Sequence, residues 1–202
     1  MHKGRLEAFS DGVFAIIITI TVLDLKIPHG PSLAALGAAL PEFLSYALSF
    51  AYVGIYWTNH HHMLQATRQV TGGILWANLH LLFWLSFCPF VTGWLGENPD
   101  GAWPAAVYGA DFFMSGVSFL ILQRAILANE GKDSILARAV GRELKGKISQ
   151  VAYALGMGLA FVRPWLSEVI YGCVALMWVV PDPRIERQVM PGAEDAVPVN
   201  RA

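Results

Sequence analysis

Apolar residues run almost without a break from Gly12 to Leu23, and a charged cluster of Arg5, Glu7 and Asp11 stands at the head of that run. The stretch from Arg5 to Pro28 predicts one helix of spanning length, since crossing a hydrocarbon core of about 30 Å takes roughly 20 residues. At about 100° per residue, Gly12, Ile16, Thr19, Ile20, Leu23 and Ile27 fall within about 60° of one line. A stripe of aliphatics with one hydroxyl can face lipid, a partner helix or a pore. Further apolar runs over 43–60, 74–95, 105–127, 148–162 and 165–180 predict five more spans, the last two split by the Arg163-Pro164 turn. The expected fold is an all-α integral membrane protein with six transmembrane helices in one domain over residues 1–181.

Between the fourth and fifth spans, Asp133-Ser134 offers an N-cap, and Leu136, Val140 and Leu144 repeat at helical spacing opposite Arg138, Arg142 and Lys145. This pattern predicts a basic amphipathic helix over 133–146 lying on the inner membrane surface. Residues 182–202, with prolines, mixed charges and no periodicity, predict a disordered cytoplasmic tail.

Composition agrees with a lipid solvent: hydrophobic residues make up 55% and charged residues 14%, with a mean hydropathy of +0.47. Of the 14 Lys and Arg residues, all but Lys26 and Arg163 fall on the side of the N-terminus. The positive-inside rule then places both termini in the cytoplasm of a multi-pass cell-membrane protein, with a prokaryotic inner membrane the expected location. The opposite side collects Asp24, Glu42, Glu97, Asp100 and Glu168, either an acidic mouth that draws cations or ordinary solvated loops. The first apolar run carries Asp11 and ends without a small-residue cleavage site, so it is expected to stay in the mature chain. Cys88 and Cys173 lie within expected spans, where a thiol acts as a small apolar group.

Charge inside or beside a span needs a partner. Asp11 points about 140° from Ile16, so it turns away from the stripe, and Arg5 lies on another face of the same helix. A group from another segment must answer Asp11, with His60 the leading candidate, unless Asp11 simply caps the helix start. Trp57-Thr58-Asn59-His60-His61-His62 closes the second span at the same membrane face. Neighbouring helical residues point about 100° apart, so the three histidines do not chelate one metal, and one of them, with Asn59, is expected to bond to the charge of the first helix. His80 and Asp111 are further intramembrane ionisable groups without an assigned role, and the tryptophans near span ends fit an interfacial belt. Carbonyl-filter, voltage-sensor, P-loop, HExxH and GxSxG patterns are all missing, which argues against an enzyme and against a carbonyl-filter channel.

Arg5-x-x-x-Phe9-Ser10-Asp11 resembles the RxxxFSD signature of the transmembrane protein 175 potassium channels. Trp57-x-x-His60, Asn78-Leu79 and Phe87-x-Pro89-Phe90 are similar to that family's spacing. The resemblance implies a homotetramer of six-helix subunits, as in prokaryotic members, with four first helices lining an ion path for potassium and other monovalent cations and with no cofactor. By position it implies a hydrophobic constriction at Ile16, further apolar layers at Ile20 and Leu23, and a hydroxyl at Thr19. It also implies a structural polar network of Arg5, Ser10, Asp11, Trp57 and His60. A ring of Ile side chains offers no oxygen to an ion, so selectivity would rest on pore radius and dehydration, with Thr19 either coordinating partly or bonded back to Ala15. The alternatives are a proton- or metal-coupled transporter using Asp11, His60, His80 and Asp111 as a relay, and a noncatalytic subunit of a membrane assembly.

Overall fold

The computed structural model describes residues 2–23, 25–131 and 144–179. The amphipathic helix and the tail expected from the sequence lie, for 133–143 and 182–202, outside the described residues. Within them the secondary structure is helical throughout: α1 (Lys3–Leu23), α2 (Leu33–Ala38), α3 (Leu40–Gln65), α4 (Gly72–Leu85), α5 (Cys88–Glu97), α6 (Ala102–Glu130), α7 (Leu144–Ala160) and α8 (Pro164–Val179).

Three differences from the sequence expectation have local causes. α1 stops at Leu23 and not at Pro28; Pro28 keeps Ile27 out of helical backbone, so the helix does not run to the end of the apolar stretch. Ile27 therefore leaves the stripe and lies 86% exposed beyond the helix. The run 74–95 is two helices, α4 and α5, interrupted at Ser86-Phe87. Pro89 sits in the first turn of α5, where it lacks an N–H and would clash with the carbonyl of Leu85 in a continuous helix. The apolar runs do not predict α2, whose N-cap Ser32 Oγ accepts from the Ala35 N–H at 3.2 Å.

Lys3–Leu23, Gly72–Glu97 and Ala102–Glu130 are long and apolar enough to cross a membrane. α3 falls at the expected second span, and the 17-residue α7 and 16-residue α8 fall at the fifth and sixth. α1 leans on α3, α4 and α5, while α6 packs against α4, α5, α7 and α8. The centre of the bundle is aromatic: Tyr52 stacks on Phe112 at 4.3 Å between ring centroids, with Tyr153 and Tyr171 alongside. Their hydroxyls are spent inside the protein, since Tyr52 Oη donates to the Tyr171 carbonyl and Tyr171 Oη to the Ala105 carbonyl at 3.1 Å.

Candidate functional site

α1 has two faces of different character. Leu6, Ser10, Phe14, Ile17 and Thr21 are buried against the bundle. Ile16, Thr19, Ile20 and Leu23 are exposed, Ile16 at 57% and Leu23 at 80%. The two sets are centred about 140° apart around the helix, so the stripe singled out by periodicity is the face that the subunit leaves uncovered. Thr19 Oγ1 donates its proton to the Ala15 carbonyl at 2.9 Å, with the Ile16 carbonyl at 3.1 Å. The bond spends the hydroxyl hydrogen and leaves the oxygen lone pairs as the group's remaining capacity.

At the N-terminal end of α1, two adjacent residues tie the helix to different neighbours. Ser10 Oγ accepts from Asn78 Nδ2 at 3.0 Å, and Asn78 Oδ1 pairs with His60 Nε2 at 2.7 Å. All three side chains are buried, and the polarity of the chain places the imidazole proton on Nε2. Phe14 packs its ring 5.4 Å from that of His60. Asp11 is only partly buried and accepts from Trp57 Nε1 at 2.9 Å. The expected Asp11–His60 pairing is thus corrected: the indole of Trp57 takes the carboxylate and His60 turns to Asn78. Asn59 does not join either, since its Nδ2 donates to the Ile55 carbonyl at 2.8 Å.

Arg5 stands apart from this network. It is exposed, at the head of the same angular line as Ile16 and Leu23, and among the described residues no hydrogen bond or ion pair engages its guanidinium. Its neighbour Lys3 instead anchors the helix start, donating to the Gln65 carbonyl at 2.7 Å and lying 3.7 Å from Glu7.

At the opposite end, Lys26 Nζ meets Glu97 Oε1 at 2.6 Å. That bond raises the Lys26 pKa, through the hydrogen bond first and the Glu97 charge second. One carboxylate of the expected acidic mouth is therefore already answered by a cation. A cavity of about 420 Å³ opens beside it among α1, α3 and α5, lined in part by Thr21, Glu42, Tyr46, Phe90 and Trp94. It lies on the packed side of α1, away from the Ile16 face.

The family model described as the endosomal/lysosomal potassium channel TMEM175 matches residues 5–89. A potassium channel of Chryseobacterium sp. (strain P1-3) is 51% identical over 94% of this chain and 98% of its own length. The chain belongs to the TMEM175 family. The solved structure of a lysosomal potassium-selective channel TMEM175 homologue from Chamaesiphon minutus superposes with a TM-score of 0.78 at 27% identity, covering 88% of this chain and 96% of that one. The rat endosomal/lysosomal proton channel TMEM175 is 42% identical over 35% of this chain and 17% of its own length.

The TMEM175 match covers Ser10, Asp11, Trp57, His60 and Asn78, the residues that tie down the N-terminal half of α1. It is a channel family of membrane proteins, not an enzyme family. Asn78 is the functional-network residue that pattern reading missed as a bridge; its signal is an uncharged amide in the middle of the apolar run ILWANLHLLF. Among the described residues of this TMEM175 chain, no group of three His, Cys, Asp or Glu side chains is placed to hold a metal. His61 instead accepts from Gln65 Nε2 at 2.9 Å, and His80 Nε2 from Trp84 Nε1 at 3.1 Å. Asp11, His60 and His80 thus have separate partners, and Asp111 has none that shares them.

Proposed function

We propose that four copies of this chain, each with six membrane-crossing helices and both termini in the cytoplasm, form a potassium-permeable cation channel lined by α1. The observation that carries this reading is the uncovered stripe of Ile16, Thr19, Ile20 and Leu23 opposite the packed face of α1. Four such stripes around one axis give a narrow aliphatic tube with a single ring of hydroxyls. An aliphatic ring cannot replace an ion's hydration shell, so the ion that sheds water most readily passes first, and potassium is favoured over sodium. Thr19, its proton committed to Ala15, offers only oxygen lone pairs to the path, which suits a cation. The relay of a coupled transporter draws no support, because Asp11, His60 and His80 are each held by a different partner, Trp57, Asn78 and Trp84.

Ser10, Asp11, Trp57 and His60 then fix the angle of α1 against α3 and α4 and so aim the stripe at the axis. Arg5, at the inner end of that stripe, faces the tube's cytoplasmic opening or a neighbouring subunit. The test is cation flux in liposomes containing only this protein. Passive potassium current, independent of a pH gradient and larger than sodium current, supports the channel; uptake that needs a proton gradient, a proton current alone, or silence from a reconstituted tetramer overturns it.

A further inference from the structure

We infer that each subunit carries a bound proton at Asp111, inside its own helix bundle and off the α1 face. Asp111 is 4% exposed, and neither carboxylate oxygen has a hydrogen-bond partner. Ser115, one turn further along α6, is fully buried and its hydroxyl is likewise unpartnered. The ion pairs among the described residues do not reach this site. The titratable groups that share its field are Tyr56 on α3, Cys88 on α5 and Tyr108 on α6 itself, all uncharged at neutral pH. Among the described residues, no ionised side chain of α4, α7 or α8 acts on it.

The neighbouring polar groups are committed elsewhere. Tyr108 Oη bonds with Ser49 at 3.0 Å, Tyr56 Oη donates to the Phe112 carbonyl at 3.4 Å, and Cys88 Sγ faces Thr92 at 3.8 Å. A bare carboxylate buried without a partner is too costly to persist, so the charge must be neutralised in place. A monovalent metal cation would need an oxygen cage. The free oxygens on this stretch of α6 are the two of Asp111 and that of Ser115, with Gln150, whose amide lies against Gly116, supplying a fourth, whereas hard cations take about six or more. A proton needs one oxygen and no cage. The site therefore binds a proton, and the packing of α6 on α3 and α5 depends on its presence. This holds whether or not α1 lines the ion path.

The experiment is infrared spectroscopy of the full-length protein in lipid at neutral pH, reading the C=O stretch of a protonated carboxylic acid. A band that shifts in D₂O, is lost in Asp111→Asn and survives in Glu168→Gln is the expected result; Glu168 is the control because its Oε1 is also buried and unpartnered. Raising the pH should remove the band and lower the melting temperature of the parent, and Asp111→Asn should lose less melting temperature than the parent over the same pH range. No band in the parent, a band that survives Asp111→Asn, or one lost in Glu168→Gln overturns the inference. So does a band that appears only when potassium and sodium are replaced by a bulky organic cation, which would make a metal cation the occupant. Should Asp111→Asn fail to assemble, the parent and Glu168→Gln decide between them: a band kept in Glu168→Gln supports Asp111 as its carrier, and a band lost there overturns it.

Discussion

Trp57 Nε1 donates to Asp11 Oδ1 at 2.9 Å across the seam between α1 and α3, although Trp57 itself is 43% exposed. The indole is thus a strut between two helices as much as a membrane-facing ring. Trp57→Phe keeps the ring and deletes the donor. Because the bond is partly open to solvent, the loss should be about 1 kcal/mol or less. The check is a melting curve of the assembled protein with a parallel bi-ionic reversal potential: a small drop in melting temperature with unchanged selectivity fits a strut, and a shift in selectivity would put Asp11 in the ion path.

The buried chain Ser10–Asn78–His60 should be far less forgiving. Asn78→Leu leaves a buried hydroxyl and a buried imidazole N–H unpaired, at about 1–3 kcal/mol for each stranded group. Adding Ser10→Ala to Asn78→Leu removes one of the stranded groups, and the double variant should recover part of the loss. Recovery of folded protein after mild heating measures both. A single Asn78→Leu variant as robust as the parent would show that the chain contributes nothing.

Ile16→Asn tests the constriction. A polar ring wets more easily than an aliphatic one, so unitary conductance should rise and the preference for potassium over sodium should fall. An unaltered current through a correctly assembled variant would move the narrow point elsewhere.

Thr19→Val keeps the shape of the side chain and removes both the bond to Ala15 and the lone pairs. Helices readily tolerate loss of such a back-bond, so assembly should be unaffected. Reversal potentials in potassium against sodium should show a weaker potassium preference. If the potential does not move, the hydroxyl has no part in selectivity.

The Lys26–Glu97 pair offers a pH and salt prediction outside the membrane. A lysine whose pKa is raised by folding contributes its share of stability in full below the unfolded value of about 10.5, and loses it as pH climbs through the raised value. Across the neutral range the pair is therefore intact, and Lys26→Gln should free a negative charge at this end of the bundle. Cation conductance at low ionic strength should increase and the gain should vanish at about 1 M salt, where the screening length is about 3 Å. Equal conductance at low salt would mean that Glu97 is too far from the ion path to matter.

That Ile16, Thr19, Ile20 and Leu23 share one face of α1 was legible from one helix's worth of residues, because a period of about 3.6 fixes which side chains lie together before any neighbour is known, whereas what that face meets was not. The partner of Asp11 was not. Angular arithmetic says that Asp11 turns toward another helix, but choosing between Trp57 and His60, three residues apart on α3, requires the rotation of α3 as well. Asn78 escaped for a related reason, since its partner Ser10 is 68 positions away and a neutral amide costs little enough not to draw attention as a charge does. The break between α4 and α5 did have a local signal in Pro89, outweighed by the continuity of the apolar run around it. α2 belongs to a short segment held by its own cap, with no long periodic pattern to announce it.

α1 is also the least embedded of the long apolar helices, with 28% of its spanning window buried inside the subunit against 50% for each of the other two. Lipid tails accept Ile and Leu as readily as another protein surface does, so the aliphatic strip does not itself drive subunits together in a bilayer. What favours association is close fit, and α1 presents Gly12 within the strip and Ala8 and Ala15 beside it, all exposed and without bulk. Assembly should accordingly be a weak, reversible equilibrium per interface, governed by the number of subunits per unit of membrane area. Diluting the protein with lipid at constant total amount would then turn channels off without unfolding a single helix.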